Sequence, residues 1–283
     1  MASVMQTTSG RKLVKNIIVY ALCILISIVL LLPFFWMLSA SLKPGHQIFK
    51  YPIIWIPNPV KWSNYVEAFK AVPYMVWAKN TSSIVVLSIV GDLVSCSLVA
   101  YAFARLQFPG KSILFVLLLS TLMIPQQVTL IPTFLLFKWL GWVDTYFPLI
   151  LPAWMAYPFW VFLLRQFFMT IPLELDDAAK IDGCGYMGIF FKILLPLAKP
   201  ALTTIAIFSF MANWNDFMRP LIYLNTESKF TIALGLRMFQ GLYFTRWELV
   251  MAASVLALLP PLILFFLCQR YFVQGIVMTG LKG

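Results

Sequence analysis

Four of the chain's ten acidic residues crowd into one short stretch: Glu174, Asp176, Asp177 and Asp182. Carboxylates at that density can chelate a divalent cation and, through it, a diphosphate. Such chemistry needs acids one turn apart on a single helical face, in the pattern DDxxD. Here the residue three beyond Asp177 is Lys180. The step from Asp177 to Asp182 carries the side chain about 140° around a helix of 3.6 residues per turn. A second acidic cluster is also missing, so the spacing argues against a metal site. Two readings stay open: a solvated connector whose acids suit the start of a helix, or a polar knob that a soluble partner grips.

The other residues capable of chemistry lie inside apolar runs. Asp92 stands alone in one of them, and Asn213, Trp214, Asn215 and Asp216 form a polar patch in another. An intramembrane acid is costly and marks a pathway by default. Amides and a carboxylate can grip sugar hydroxyls, and an indole can stack on an apolar sugar face. The plainer alternatives are a hydrogen bond from Asp92 to a Ser or Thr of a neighbouring helix, packing between spans or subunits, and pairing of Asp216 with Arg219 at i, i+3. His46 has no partner nearby. Cys23, Cys96, Cys184 and Cys268 are far apart with no CxxC, which fits packing better than disulfides or metal binding. No GxxxxGK[ST] phosphate loop occurs, so the chain carries no ATPase signature of its own.

The elements that must hold these residues follow from composition. Of 283 residues 61% are hydrophobic and 11% charged, with a mean hydropathy of +0.88. Charged residues make up about a quarter of an ordinary soluble domain, so the chain reads as an all-α integral membrane protein. The net charge of +11 is scattered between apolar runs, which suits lipid headgroups and topology rather than nucleic acid. Six runs are read as long enough for the roughly 20 residues that a bilayer requires: Ile17–Leu42, Asn80–Ala104, Ser112–Ile124 (with an uncharged stretch continuing to Lys138), Thr145–Leu164, Pro200–Tyr223 and Leu249–Gln269. The first is too long for the core of a cleaved signal peptide. Lys43–Lys79, with Tyr51, Trp55, Trp62 and Tyr65, reads as an interfacial segment, and Gln126–Gln127 as part of an irregular outer one. Six spans put both termini on one side. The 21 basic residues divide almost evenly between the two sides. The cluster Arg11, Lys12, Lys15 and the turn Arg105–Lys111 favour cytoplasmic termini, which makes the acidic loop cytoplasmic too.

Within that loop, Pro172 is expected in the first turn of a short helix, with Glu174, Asp176 and Asp177 near its positive end. Leu175, Ala178, Ala179 and Asp182 share a face with the small alanines outward, and Gly183 is the expected left-handed stop.

The run Glu174–Gly183 with Phe190, Ile193 and Leu195-Pro196-Leu197 resembles the EAA loop of binding-protein-dependent ABC importers. Tyr101–Arg105 with Phe108–Lys111, Trp214–Phe217, Gln269–Gly275 and the closing Lys282-Gly283 resemble landmarks of the carbohydrate-importing subgroup, in the same order. One departure is Asp177, where the family usually has glutamate. The resemblance implies the type I importer transmembrane fold with a cytoplasmic coupling helix. It implies residues 1–74 as an amino-terminal part with the first span, 75–273 as the permease core with the coupling loop at 171–199, and 274–283 as a cytoplasmic tail. It also implies a second permease subunit, usually non-identical, two cytoplasmic ATPase subunits that hold ATP and Mg, and an external solute-binding protein. This chain would bind no cofactor and catalyse nothing. Glu174, Asp177, Ala178, Ala179, Asp182 and Gly183 would form the contact with the ATPase. A self-contained secondary transporter is the competing reading. It asks for coupling-ion acids at the midplane and a repeat; only Asp92 and the patch at 213–216 are available, and no repeat is visible.

Overall fold

The computed structural model describes residues 2–239 and 245–280, with side chains for 15–239 and 245–269. It is helical throughout, with no strand among the described residues. Lys282 and Gly283 lie outside them. The chain divides into two compact units, residues 1–72 with 239–256 and residues 73–238 with 257–283.

In the first unit, helix α1 (Ala2–Ser41) runs unbroken through Pro33. Its apolar side chains are bare: Ile17, Leu25, Val29 and Leu30 are all more than half exposed. Surface of that kind is stable only against lipid or another chain. After a proline-rich stretch, α2 (Ser63–Ala71) forms within the segment expected to be interfacial. The buried Asn64 amide explains it, donating to the Ser41 and Lys43 carbonyls at 2.8 Å each and so tying α2 to the end of α1. Glu67 accepts from Arg246 at 2.9 Å and pairs with Lys61 at 3.3 Å. The hydrogen bond from Arg246, and then those from Lys61 and Ser63, hold its carboxyl below the usual range.

The second unit is built on α3 (Tyr74–Arg105), which contains no proline. It starts six residues before the expected Asn80: only Val72 and Pro73 separate it from α2, a proline can lead into a helix, and the fully buried Trp77 anchors the added length. Next come α4 (Lys111–Ser120), a 3₁₀ turn at Thr121–Met123 and α5 (Gln126–Trp139), bent by 100°. The irregular segment expected at Gln126–Gln127 is therefore the first turn of a helix. Pro125 makes the bend: it lacks the N–H needed to continue one helix but can precede the next.

The run Phe147–Thr170 is broken at Ala156, a non-glycine residue with φ +54°, before α6 (Pro158–Thr170). Then follow α7 (Glu174–Ile181), a segment Tyr186–Leu197 with a π-helical turn at Phe190–Leu194, α8 (Lys199–Trp214), α9 (Met218–Tyr223) and α10 (Trp247–Gly280). Among the described residues, four stretches are long and apolar enough to cross a bilayer as they stand: Lys15–Ser41, Tyr74–Arg105, Phe147–Thr170 and Trp247–Gln269. The bent pairs Lys111–Met123 with Gln126–Trp139, and Tyr186–Leu197 with Lys199–Trp214, raise the number to six.

Two cores fill the second unit. One joins Cys96, Ala100, Leu164, Phe168, Ile189, Phe190 and Ile205 at the end carrying the acidic loop. The other joins Ile84, Phe137, Leu149, Tyr223 and Leu234. Beside the latter, Asp144 clasps two loops. Its carboxylate accepts from the backbone N–H groups of Asn225 and Thr226 at 3.0 Å each, the Thr226 hydroxyl at 2.6 Å and Lys229 Nζ at 2.9 Å. The Lys229 bond and then the Thr226 hydroxyl hold the carboxyl far below the usual carboxylate range. A depressed folded value contributes its full stability above the unfolded value, near 3.9, and loses it progressively as pH falls from there to the folded one. Asp144→Ala is expected to cost about 1–3 kcal/mol locally and to open the 223–230 loop to protease. In the unsubstituted chain, protection at pH 4 should equal that at pH 7; loss of protection by pH 4 would contradict the clasp.

Candidate functional site

The acidic loop is built from both ends inward. Helix α7 begins at Glu174, with the Leu173 carbonyl accepting from Asp176 N at 2.9 Å and Asp177 N at 3.1 Å. Pro172 therefore precedes the helix instead of occupying its first turn: α6 hands over through an extended Ile171, and a proline suits that link. Glu174, Asp176 and Asp177 do fall in the first turn, where the helix dipole favours each by about 0.3–1 kcal/mol. At the other end Gly183 has φ +81°. Its N–H reaches the Lys180 carbonyl at 3.0 Å, and Cys184 N reaches the Ala179 carbonyl at 2.8 Å. This pair of bonds is the Schellman stop, and its left-handed residue has to be glycine or pay for a Cβ.

The helix is two-sided, but not as its spacing suggested. Asp176 and Ala179, one turn apart, are buried at 5% and 6% exposure. Glu174, Leu175, Asp177, Ala178, Lys180, Ile181 and Asp182 are exposed. Ala179 thus faces the chain's own core instead of sharing the outward face of Ala178, because it packs in the cluster of Phe190 and Ile189. On the outer side Asp177 bonds Lys180 at 2.9 Å and raises the pKa of its ammonium.

Burial of Asp176 is made possible by Arg105, at the end of α3. Arg105 Nε lies 3.2 Å from Asp176 Oδ2, with the two side chains 5% and 7% exposed. Arg105 Nη2 also donates to the Ile171 carbonyl at 2.7 Å. One turn back, Tyr101 donates its hydroxyl to the Tyr186 carbonyl at 2.9 Å and rests its ring 5.2 Å from that of Phe190. The start, middle and exit of the loop are all pinned to α3. Neither Tyr101 nor Arg105 was singled out as a site residue. The available signal was a lone arginine at a span exit in a chain whose acids are concentrated in one loop.

The intramembrane polar residues form one chain of contacts. Asp92, buried, accepts from the Ser209 hydroxyl at 2.6 Å. Asn213 donates to the Ser209 carbonyl at 2.8 Å, and Arg219 Nη2 donates to Asn213 Oδ1 at 2.9 Å. Arg219 also pairs with Asp216. Asp92 thus makes the hydrogen bond to a neighbouring helix that was one of its two readings. Asn213 and Asp216 are partly exposed and Asn215 is exposed, at the break between α8 and α9. Trp214 is turned away: it is 8% exposed, stacked on Phe210 at 5.3 Å, with Nε1 donating to the Ala257 carbonyl at 3.0 Å. Its ring thus packs against its own helix while its N–H ties α8 to α10. Among the described residues, no three His, Cys, Asp or Glu side chains gather as metal ligands would.

The chain is similar to known proteins along most of its length. The family described as "Binding-protein-dependent transport system inner membrane component" matches residues 61–278. The arabinooligosaccharides transport system permease protein AraQ of Halalkalibacterium halodurans is 37% identical over 261 residues, covering 91% of this chain and 93% of that protein. The sn-glycerol-3-phosphate transport system permease protein UgpE of Yersinia pestis is 34% identical over 258 residues, covering 88% and 92%. In fold, the chain is similar to one from a bacterial ABC transporter involved in the import of the acidic polysaccharide alginate. The TM-score is 0.83 at 23% identity, covering 92% of this chain and 96% of that one.

Proposed function

The chain belongs to the binding-protein-dependent transport system inner membrane components, and on that premise we propose that it is one permease half of an ATP-driven importer for a sugar or related polyol. It works with a second permease subunit, two cytoplasmic ATPase subunits that hold ATP and Mg, and an external solute-binding protein. The termini and the acidic loop are cytoplasmic. One observation carries the reading: an exposed acidic helix face whose opposite edge is buried and ion-paired to a span. A connector needs no such anchor, whereas a contact that must carry force does.

In this reading Glu174, Asp177, Ala178 and Asp182 present the face to the ATPase. Ala179 seats the helix against the permease, and Gly183 sets its end. The small Ala178 lets the partner's surface come close. Closure of the ATPase pair on ATP moves the helix and rocks the spans between inward-open and outward-open states. Asn213, Asn215 and Asp216 line the pathway at the α8–α9 break, with Asp92 and Trp214 holding that break in place. Sugar selectivity by such residues is transient, since the binding protein selects first.

The test is the assembled complex. Asp177→Lys reverses an exposed charge, and Gly183→Pro demands φ near −65° where the backbone sits at +81°. Both variants are expected to reach the membrane yet retain ATPase subunits about tenfold less well, an effect of ~1.4 kcal/mol. Wild-type ATPase retention and transport in both would overturn the assignment of the loop.

A further inference from the structure

We infer that α3 is a stiff transmission rod that carries displacement of the coupling loop to the outer segment Glu227–Gly235, with the broken spans hinged on its middle. This rests on the coupling role proposed above for α7.

Three independent features of α3 support this. At the cytoplasmic end, Tyr101 and Arg105 hold the loop at Ile171, Asp176 and Tyr186, as described. At the far end, Trp77 Nε1 donates to the Glu227 carbonyl at 2.9 Å, and Asn80 Nδ2 donates to the carbonyls of Ser228 at 2.8 Å and Phe230 at 3.0 Å. The Thr81 hydroxyl accepts from Ile232 N at 2.9 Å. The outer segment is therefore fastened to α3 by side chains on consecutive turns. Between the two ends runs one helix of 32 residues, about 48 Å long at 1.5 Å per residue.

Its stiffness sets it apart. Helices α1 and α10 contain proline, and the other spans are broken at Pro125, Ala156, or near Ala198 and Asn215. Only α3 crosses without proline or break among the described residues. Two of those breaks lean on a single stretch of it. The Ser95 hydroxyl accepts from Ala156 N at 3.2 Å and shares its one proton between the Gly91 carbonyl at 2.7 Å and the Ala153 carbonyl at 3.1 Å, at the break before α6. Asp92 takes the Ser209 hydroxyl, which Asn213 joins just before the break after α8. A helix that touches both hinges at mid-length and both loops at its ends moves them together, because close-packed contacts transmit displacement.

The test softens the rod without touching either fastening. Val86 and Val90 are exposed on its apolar surface. Paired replacement by glycine loosens the backbone there, whereas paired replacement by alanine keeps it helical. The readout is ATP hydrolysis by the full importer in vesicles, with and without substrate-loaded binding protein. The Val86→Gly/Val90→Gly variant should retain its ATPase subunits and its hydrolysis without binding protein. Its stimulation by loaded binding protein should fall by about fivefold or more, while the alanine pair behaves as wild type. Asn80→Ala, which removes two of the four hydrogen bonds at the outer end, should lower that stimulation in the same direction with its ATPase subunits retained. Stimulation in the glycine pair equal to that of the alanine pair, or wild-type stimulation in Asn80→Ala, overturns the rod. Absence of any ATPase from the wild-type complex would instead overturn the function proposed for the loop.

Discussion

Replacing Arg105 with alanine is expected to unseat the acidic loop at a cost of about 3–5 kcal/mol, the penalty for leaving one member of a buried ion pair uncompensated. Asp176 is the member left behind, 7% exposed, with no bulk water to take over. The Ile171 carbonyl loses its donor in the same step. Thermal unfolding in detergent should show a lower midpoint, and protease should reach the chain between Ile171 and Tyr186. The informative control removes both charges. Arg105→Met with Asp176→Leu exchanges the pair for apolar packing, which in other proteins is neutral or stabilising by about 1–4 kcal/mol. Stability should largely return. ATPase stimulation should not, because the fork that fixes α7 against Ile171 is gone. A loss below about 1 kcal/mol in Arg105→Ala would place the pair among solvent-exposed bridges and contradict its burial.

The second large effect is expected at Gly235. A Cβ built there would lie 2.2 Å from the Trp77 ring, far inside contact distance, and Trp77 is fully buried with its N–H committed to Glu227. Neither partner can yield, so Gly235→Ala should cost at least about 1–3 kcal/mol, the range for overpacking. Gly91 offers the comparison. Its added Cβ would meet Trp154 at 2.5 Å, but Trp154 is 41% exposed and has room to swing. Gly91→Ala should therefore cost less than Gly235→Ala, despite a similar clash. Equal unfolding midpoints for the two variants would contradict the argument.

Much of this was legible in the residues. Six apolar runs declare themselves because a bilayer admits few other solutions, and Gly183 announced a left-handed stop that φ +81° bears out. Breaks were harder. Ala156 adopts a conformation that its side chain disfavours, held by Ser95 from another helix, so nothing local signals it. The two edges of α7 were misassigned at Ala179 for a related reason. Spacing shows which residues share a face, but only the position of Arg105, remote in sequence, decides which edge turns inward. Trp214 looked like a sugar platform because an aromatic beside amides fits one. The Phe210 ring that covers it stands one turn back on the same helix, and the Ala257 carbonyl that takes its N–H comes from α10.

The division of α7 into an anchored edge and a bare one has a consequence for exchange of parts. Asp176 and Ala179 answer to the permease alone, while Glu174, Asp177, Ala178 and Lys180 are free of its packing. With the bare edge as the ATPase contact proposed above, selection on it can track a changing motor without unsettling the fold, and an engineer can transplant those exposed side chains from another importer onto an unchanged mount. One permease can thus be refitted to a different engine, and several permeases can converge on a shared one.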